Sequence, residues 1–418
     1  MLETLSQFNS HVSNVNERII TEGLHGTNAV VDGIIDHTND FYPEWDNYEM
    51  VYNGPQVYVS NPFFKNPYKV CTFNGNYDKI NLQDVDIRIR STFKPVMERS
   101  NYVQVIKGFL ECQQGNNIIY GNWIDYYKVA FRKMLNQAGE HTLIGAIIPP
   151  KSSHVGALIS VTFKDLDKLI ELTGLTSAIV MDFYLKAIGS SNLSAGRIES
   201  FPLGIVSKYK SALFSRTLLL NCLTKYYADL WHECWRDDYQ QERWSIDDDR
   251  LKPFDELTEQ WSWHTPLRNY FERRQALVEI DVISAMALGL SLEDLKMIYT
   301  IQFPVLQQNE DDTWYDAHGN IVFTCSKGLT GVGLERKGSR TTTGWEDIRG
   351  EEIRDADDRI IGYKGTSPTY VHTIDPKKSE LYGGQQVTYY APYTRPDRIA
   401  DYRRAWAFFE KQFKDKKE

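Results

Sequence analysis

The sequence predicts a mixed α/β protein built from several regions. Three observations predict it. A short apolar run closed by prolines at 142–150 is typical of a buried strand, and apolar residues recur at helical spacing between 165 and 231. The distal part is rich in glycine and short extended segments and ends in an amphipathic stretch. We therefore divide the chain into an α/β entry region, a second α/β unit, a helical region and a strand- and loop-rich end with a C-terminal helix, covering residues 1–115, 116–203, 204–300 and 301–418.

The entry region alternates extended segments with turn signals such as Asn53-Gly54-Pro55 and Asn74-Gly75. The second unit contains the clearest strand, because residues 142–148 are almost continuously apolar and Pro149-Pro150 ends the run. A polar turn must follow this strand. Together these patterns predict that a buried sheet organises the first half of the chain.

Helical spacing of apolar residues at 165–188 predicts two helices with a break at Gly174. The polar cluster at 190–194 predicts a turn and a helix cap, and residues 201–203 predict an extended exit. Helix, turn and exit form one compact supersecondary unit.

The apolar positions between Leu213 and Trp231 predict one long helical stripe. A second helix is predicted from Pro266, a favourable first helical residue, to Gly289. Residues 301–392 are predicted to be strands and loops, and 397–414 a final helix. The apolar side of that final helix is formed by Tyr402, Trp406, Phe409 and Phe413.

Composition indicates a large globular protein, since 42% of the 418 residues are hydrophobic. The formal net charge of −9 is opposite to the electrostatic signature of proteins that hold nucleic acid by neutralising phosphates. Any DNA binding by the chain alone is therefore expected to be weak and sensitive to salt. A local basic patch, or a larger assembly, would have to supply the phosphate contacts.

The five cysteines are odd in number and form no C-x-x-C pair, which predicts reduced thiols and a cytoplasmic location. The first residues lack the basic start and apolar core of a signal peptide, and no apolar run is long enough to span a bilayer. Secretion and membrane insertion are not expected.

Several segments resemble those of a known family. Residues 143–150 (LIGAIIPP) and 188–203 (IGSSNLSAGRIESFPL) resemble the specificity region of adenine-specific DNA methylases of the Eco57I type, found in type IIG restriction-modification and phage-defence systems. Upstream, GPQVYVSNPFFKNP from Gly54 is similar to the same proteins, as are RRQALVEIDVISAMALGLSLEDLKMIYTIQFPVL and APYTRPDRIADYRRAWAFFEKQF downstream. The resemblance covers roughly residues 20–411.

This resemblance implies the target recognition domain and distal part of such a methyltransferase, without the S-adenosylmethionine site or catalytic motifs. S-adenosylmethionine, and Mg²⁺ if a nuclease is associated, would belong to the catalytic part, and no cofactor or metal is expected in this chain. The implied partners are double-stranded DNA and a methylase subunit or other defence proteins. Two alternatives stay open: a self-sufficient enzyme, and a protein-interaction scaffold whose acidic surface binds no DNA.

Three polar segments are the predicted DNA contacts. The turn after the apolar strand offers donors to phosphates or base edges, and arginine and asparagine are the side chains that bond guanine and adenine bidentately. The glycine-rich segment at 328–340 lets backbone amides approach an anion, although it fits neither a Walker loop nor a dinucleotide turn. Arg197 is alternatively a surface arginine that ends a helix, and the 328–340 segment is alternatively a solvated loop. The predicted contacts are Lys151, Ser152, Ser153, His154, Asn192, Arg197, Lys327, Arg336, Lys337 and Arg340.

Two weaker patterns represent the enzyme alternative. Asn61-Pro62-Phe63-Phe64 is similar to the N-P-P-Y/F loop of amino-methyltransferases but lacks the second proline, and no glycine-rich turn precedes it. Asp316 with Glu335 and Lys337 loosely matches a D…E-x-K nuclease site. A structural turn and a hairpin turn are the favoured interpretations.

Two further clusters contain residues that bind metals or stack on bases in other proteins. Cys222 and Cys234 are more than three helical turns apart, too far for one tetrahedral metal site, so they are expected in the core. The tryptophans between 231 and 263 are expected to pack in the core or at an interface rather than to stack on bases.

Overall fold

The computed structural model describes residues 8–38, 50–73, 75–84, 87, 89–108 and 123–414 and is a mixed α/β fold. The strands are β1 (Arg18–Thr21), β2 (Ile35–His37), β3 (Val51–Tyr52), β4 (Lys65–Pro67), β5 (Tyr77–Lys79), β6 (Phe93–Pro95), β7 (Lys128–Arg132), β8 (Gly145–Ile148), β9 (Ser153–His154), β10 (Leu158–Phe163), β11 (Thr313–Tyr315), β12 (Ile321–Thr324), β13 (Glu352–Arg354), β14 (Ile360–Tyr363), β15 (Thr369–Thr373), β16 (Gln386–Tyr390) and β17 (Tyr393–Thr394). The helices are α1 (Gly26–Val31), α2 (Arg99–Gly108), α3 (Leu166–Ser177), α4 (Ile179–Ile188), α5 (Ala195–Glu199), α6 (Ser207–Asn221), α7 (Ala228–Glu233), α8 (Tyr270–Ala287), α9 (Leu292–Gln302), α10 (Pro304–Asp311), α11 (Trp345–Ile348) and α12 (Arg398–Lys414).

A four-stranded antiparallel sheet in the order β1-β10-β7-β8 lies at the centre of the main body. Every residue of β8 and β10 is buried, which explains why the segment that contains β8 is almost continuously apolar. The predicted strand at 142–148 is confirmed as β8. Because β1 comes from the entry region and its partners from the next unit, the sheet crosses the boundary predicted at residue 115.

Helix α3 packs on β7, β8 and β10 and leads directly into α4. The predicted pair of helices is confirmed, but the break lies at Ala178 and not at Gly174. Gly174 is inside α3 where it meets α6: a Cβ there would lie 2.7 Å from Thr217 Oγ1 and 2.8 Å from Leu213 Cγ. The glycine therefore permits close helix packing rather than a turn.

The helical region is divided into shorter helices than predicted. Helix α6 ends at Asn221, and a 3-10 turn separates it from α7. All residues of α6 from Ser211 onward are buried, so the helix lies inside the core and has no polar face toward solvent. Helix α8 starts after Asn269 and not at Pro266, because the Asn269 side chain and Glu272 form a capping box.

The distal region begins with α9 and α10, so the helical part extends to Asp311 rather than residue 300. A five-stranded sheet, β12-β11-β17-β14-β13, and the hairpin β15-β16 follow. This part has its own core, which includes Trp314, Phe323, Trp345 and Tyr393.

The predicted C-terminal helix is confirmed as α12, which returns to the main body and packs on α8 and α9. Tyr402, Phe409 and Phe413 are buried and Trp406 is half-buried. The main core draws residues from Val12 to Phe413. It therefore crosses the boundaries predicted at 115, 203 and 300.

Candidate nucleic-acid interface

The turn that follows β8 carries the first group of predicted DNA contacts. The chain reverses at Lys151, whose φ is +68°, and returns as β9 parallel to β3. Ser152, Ser153 and His154 have no exposed surface, whereas Lys151 is exposed. The prediction that Ser152, Ser153 and His154 contact DNA is therefore wrong for this structure.

The polar atoms of these buried residues are bonded within the protein. The Ser152 hydroxyl donates to the Pro149 carbonyl at 2.6 Å, and the Ser153 hydroxyl lies 2.8 Å from Tyr102 Oη. His154 Nε2 is 2.8 Å from Ser160 Oγ. Burial lowers the pKa of His154 to about 3, which keeps the ring neutral.

Lys128 is buried together with this polar turn and is hydrogen-bonded to it. Its Nζ has no exposed surface and donates to the carbonyls of Pro149 and Ser152, both at 3.2 Å, and it lies 5.2 Å from the centroid of Trp123. Burial lowers the pKa of this lysine to about 7. Small polar residues occur both in surface loops and in buried turns that accept hydrogen bonds from a lysine. The sequence therefore did not distinguish a surface loop from a buried turn at 151–154.

Asn192 and Arg197 belong to the connection after α4. The predicted turn and cap are confirmed, since the Ser190 hydroxyl donates to the Asn192 carbonyl at 2.7 Å and Ser194 caps α5. Asn192 is exposed and its backbone forms a bridge with Met134. Arg197 is half-buried on α5, and its guanidinium forms no salt bridge with any described residue.

The segment at 327–340 lies on the surface of the distal region. Lys327, Arg336, Lys337 and Arg340 are all exposed. Arg336 is already in a salt bridge with Asp312 and lies 4.7 Å from the Phe323 centroid, so it is the least available of the four.

One loop connects two of these groups. We define the 133–142 loop as the first ten residues of the connection between β7 and β8. Gln137 Nε2 donates to the Ser190 carbonyl at 2.7 Å, and the Ser326 hydroxyl donates to Glu140 Oε2 at 3.0 Å. The segments that carry Asn192 and Lys327 are therefore both attached to this loop.

Lys151 lies at the other end of the central sheet. Lys128 pairs with Ile148 at the end near Lys151, whereas Phe131 pairs with Gly145 near the 133–142 loop. The predicted contacts that are not buried thus separate into a set at the 133–142 loop and Lys151 at the other end of the sheet. The sequence alone does not reveal this separation.

An open cleft of 640 Å³ lies beside the 133–142 loop. Lys133 is on its rim, where its Nζ pairs with Glu22 at 2.6 Å. The cleft was not predicted, because its walls come from distant parts of the chain. Polar groups from His25, Thr27, His37 and Asn53 line it together with Phe93 and Gly156.

The motif at Asn61 is a packing turn. Asn61 Oδ1 accepts a hydrogen bond from the backbone N–H of Phe63 at 2.9 Å, and Phe63 and Phe64 are buried. The structural interpretation of this motif is confirmed. A methylase pocket would need the aromatic ring to face a flipped base.

Asp316 likewise forms the hairpin turn between β11 and β12. Its Oδ1 accepts from the backbone N–H groups of His318 and Asn320 at 2.9 and 2.8 Å. Glu335 pairs instead with Lys378 at 2.9 Å. The hairpin interpretation is confirmed, and in the described ranges no group of three or more His, Cys, Asp or Glu residues is arranged to hold a metal ion.

The remaining candidates are core residues. Cys222 and Cys234 are buried free thiols, and burial raises the pKa of both. The indole N–H groups of Trp231, Trp244 and Trp261 donate to backbone carbonyls. The packing interpretation of these tryptophans is confirmed.

No protein-family model matches the sequence, and no curated protein is significantly similar to it. Within the described residues, no helix combines the length and apolar character needed to cross a membrane. The resemblance to adenine-specific methylases therefore stays a sequence-based expectation, and function is a matter for proposal.

Proposed function

We propose that this chain is the DNA sequence-recognition part of an adenine-specific DNA methyltransferase system of restriction-modification or phage defence. It would position a separate catalytic part, which binds S-adenosylmethionine, on a short DNA sequence. The observation that supports the proposal best is the attachment of two exposed polar segments, at Asn192 and Lys327, to the same 133–142 loop.

The predicted DNA contacts divide into two roles. Asn192 has the amide geometry that bonds the N6 and N7 atoms of adenine, and Arg197 has the planar fork that bonds guanine. Lys327, Lys337 and Arg340 are suited to phosphates, which fix the position of the protein without reading sequence. Arg336 would first have to leave Asp312.

The net charge of −9 sets the expected strength of binding. Affinity for duplex DNA comes largely from phosphate neutralisation, which an acidic net charge opposes. In this proposal the chain contributes selectivity, whereas the catalytic partner contributes most phosphate contacts. The two together would bring the target adenine to the partner's pocket.

The test is selection of random duplexes at about 50 mM salt, where phosphate contacts are strong. We expect wild-type protein to enrich one sequence and the Asn192→Ala, Arg197→Ala double variant to lose that enrichment. Lys164→Ala is the matched control, because Lys164 is exposed at the opposite end of the sheet from the 133–142 loop. Enrichment that is unchanged in the double variant, or absent from wild type, would overturn the proposal.

A further inference from the structure

Two lysines face each other on the hairpin of β4 and β5. Lys65 and Lys79 are directly opposite in the antiparallel register. Their Nζ atoms lie 5.5 and 5.3 Å from the centroid of the same ring, that of Phe64. Like charges at opposite positions of a strand pair destabilise it, so this arrangement requires a reason.

Arg132 adds a third positive charge. It is the last residue of β7, and its Cζ lies 5.7 Å from the centroid of Tyr58. The Tyr58 ring is stacked on Phe64, with centroids 4.3 Å apart and planes 16° apart. Three cationic side chains are therefore gathered around one aromatic stack, and we call them the Lys65–Lys79–Arg132 cluster.

The cluster has no acidic counter-ion in the described part of the chain. None of its three members forms a salt bridge there. The nearest acid in sequence is Asp78, and its Oδ2 accepts from the backbone N–H groups of Glu380 and Leu381. Arg132 Nε donates to the carbonyls of Gly54 and Val57, both at 2.9 Å, so its partners there are backbone groups and not acids. Three basic side chains grouped without an acidic partner are unexpected in a protein with a net charge of −9.

Other poorly exposed lysines of the protein use backbone acceptors instead. Lys128 donates to two carbonyls, and Lys252 donates to those of His264, Thr265 and Pro266. Lys65 and Lys79 donate to no carbonyl or carboxylate among the described residues, and their side chains lie within hydrogen-bonding distance of each other. Both are half-buried, so their ammonium groups are reachable from solvent but only partly hydrated.

The electrostatics agree with this geometry. Burial lowers the pKa of Lys79 to about 7, and the charges of Lys65 and Arg132 lower it further while Asp78 opposes them. Burial followed by the charge of Arg132 also lowers the pKa of Lys65. An anion bound between these groups would remove the repulsion.

We propose that Lys65, Lys79 and Arg132 form a binding site for a phosphate group. A tetrahedral dianion presents several oxygens and matches convergent ammonium and guanidinium donors better than a single carboxylate does. Phe64 forms an apolar floor and is itself buried. The phosphate has two possible sources, the backbone of duplex DNA or a small phosphorylated molecule such as a nucleotide.

Thermal unfolding of the full chain in sodium phosphate and in sodium chloride of equal ionic strength tests the site. We expect phosphate to raise the unfolding temperature of wild type and of the control Lys164→Met. Lys79→Met and Lys65→Met should lose this shift, and each should unfold at a higher temperature than wild type in chloride because repulsion is relieved. A purely structural role would give lower unfolding temperatures in chloride.

The proposal is overturned if phosphate shifts both variants as much as wild type, or if it shifts none of the proteins. The two lysine variants provide independent readings, so a folding failure in one leaves the other decisive. Because the assay contains no DNA, its result is separate from that of the duplex selection.

Two further probes identify the source of the phosphate. The first is adenosine 5′-monophosphate, and the second is a duplex without terminal phosphates. If the phosphate belongs to DNA, the slope of log affinity against log salt should fall by about 1 in each lysine variant, as expected for one lost contact. If it belongs to a small molecule, the mononucleotide should raise the unfolding temperature of wild type and of Lys164→Met but not of the Lys65→Met and Lys79→Met variants. Either result supports the site. If neither response is observed, the proposal is contradicted.

Discussion

The Asp281 carboxylate accepts a hydrogen bond from the backbone N–H of Ile179 at 2.8 Å. Its other oxygen accepts from Arg398 Nη1 and from Tyr402 Oη, both at 2.6 Å. One buried side chain of α8 thus binds the first N–H of α4 and two residues of α12. The helix that leads to Asn192 is fixed to the helical region and to the C-terminal helix through this carboxylate.

We expect Asp281→Ala to destabilise the protein by about 3–5 kcal/mol, because Arg398 would lose a buried partner and α4 its capping acceptor. Denaturant unfolding measures this change. Glu293→Ala is the control, since Glu293 pairs with Lys296 on the surface of α9 and such pairs contribute less than about 1 kcal/mol. Equal losses in the two variants would show that Asp281 does not have this anchoring role.

Gly174 gives a second prediction about packing. We expect Gly174→Ala to cost about 1–3 kcal/mol, because the added Cβ would contact Thr217 and Leu213 too closely. Gly196→Ala on α5 is the matched control: nothing lies within 4 Å of its added Cβ, and alanine favours a helix by up to about 1 kcal/mol. A neutral Gly174 variant would contradict the close approach of α3 and α6.

His141 makes the 133–142 loop sensitive to pH. Burial alone would lower the pKa of His141, but the hydrogen bond and charge of Asp182 outweigh burial and raise it. A raised folded-state pKa stabilises the protein below the unfolded value of about 6.5, and this stabilisation is lost as pH rises through the folded-state pKa. We expect that loss in wild type and not in His141→Gln, measured as the free energy of unfolding from acidic to alkaline pH. If the free energy of unfolding depends on pH in the same way in wild type and in His141→Gln, His141 does not stabilise the protein through Asp182.

Anion binding by the Lys65–Lys79–Arg132 cluster should take up protons. Lys79, with a pKa of about 7, is mostly neutral at pH 8, and a bound anion would raise that pKa. Lys65, Arg132 and Asp78 are the other charged groups that act on it. Calorimetry with sulfate, which does not titrate in this range, should give heats that depend on the ionisation enthalpy of the buffer. Heats that are independent of the buffer would contradict the prediction.

The sequence predicted elements whose pattern is local. Strand β8 and helix α12 were found because an apolar run and an amphipathic stripe identify them directly. The start of α8 was misplaced at Pro266, although the capping box of Asn269 and Glu272 was a readable signal. The apolar positions from Leu213 to Trp231 were predicted to form one long helical stripe, whereas they belong to α6 and α7. Because α6 is buried on all sides from Ser211 onward, no change between an apolar and a polar face marks its end.

The site was less predictable because its parts meet only through tertiary contacts. Ser152, Ser153 and His154 are buried against groups from other elements, including Lys128 on another strand, which donates to the Ser152 carbonyl. The pairing of Lys65 with Lys79 depends on hairpin register, and nothing in the spacing of the two lysines identifies it. The link between Asn192 and Lys327 requires a loop that contacts both segments.

Purification of the tagged chain from its native host, combined with methylation sequencing of a strain that lacks its gene, tests the recognition role most directly. We predict that a DNA methylase copurifies and that one methylated adenine motif disappears from the genome of the deletion strain. If no methylase copurifies and the methylated motifs are unchanged, the chain does not act as the recognition part of a methyltransferase.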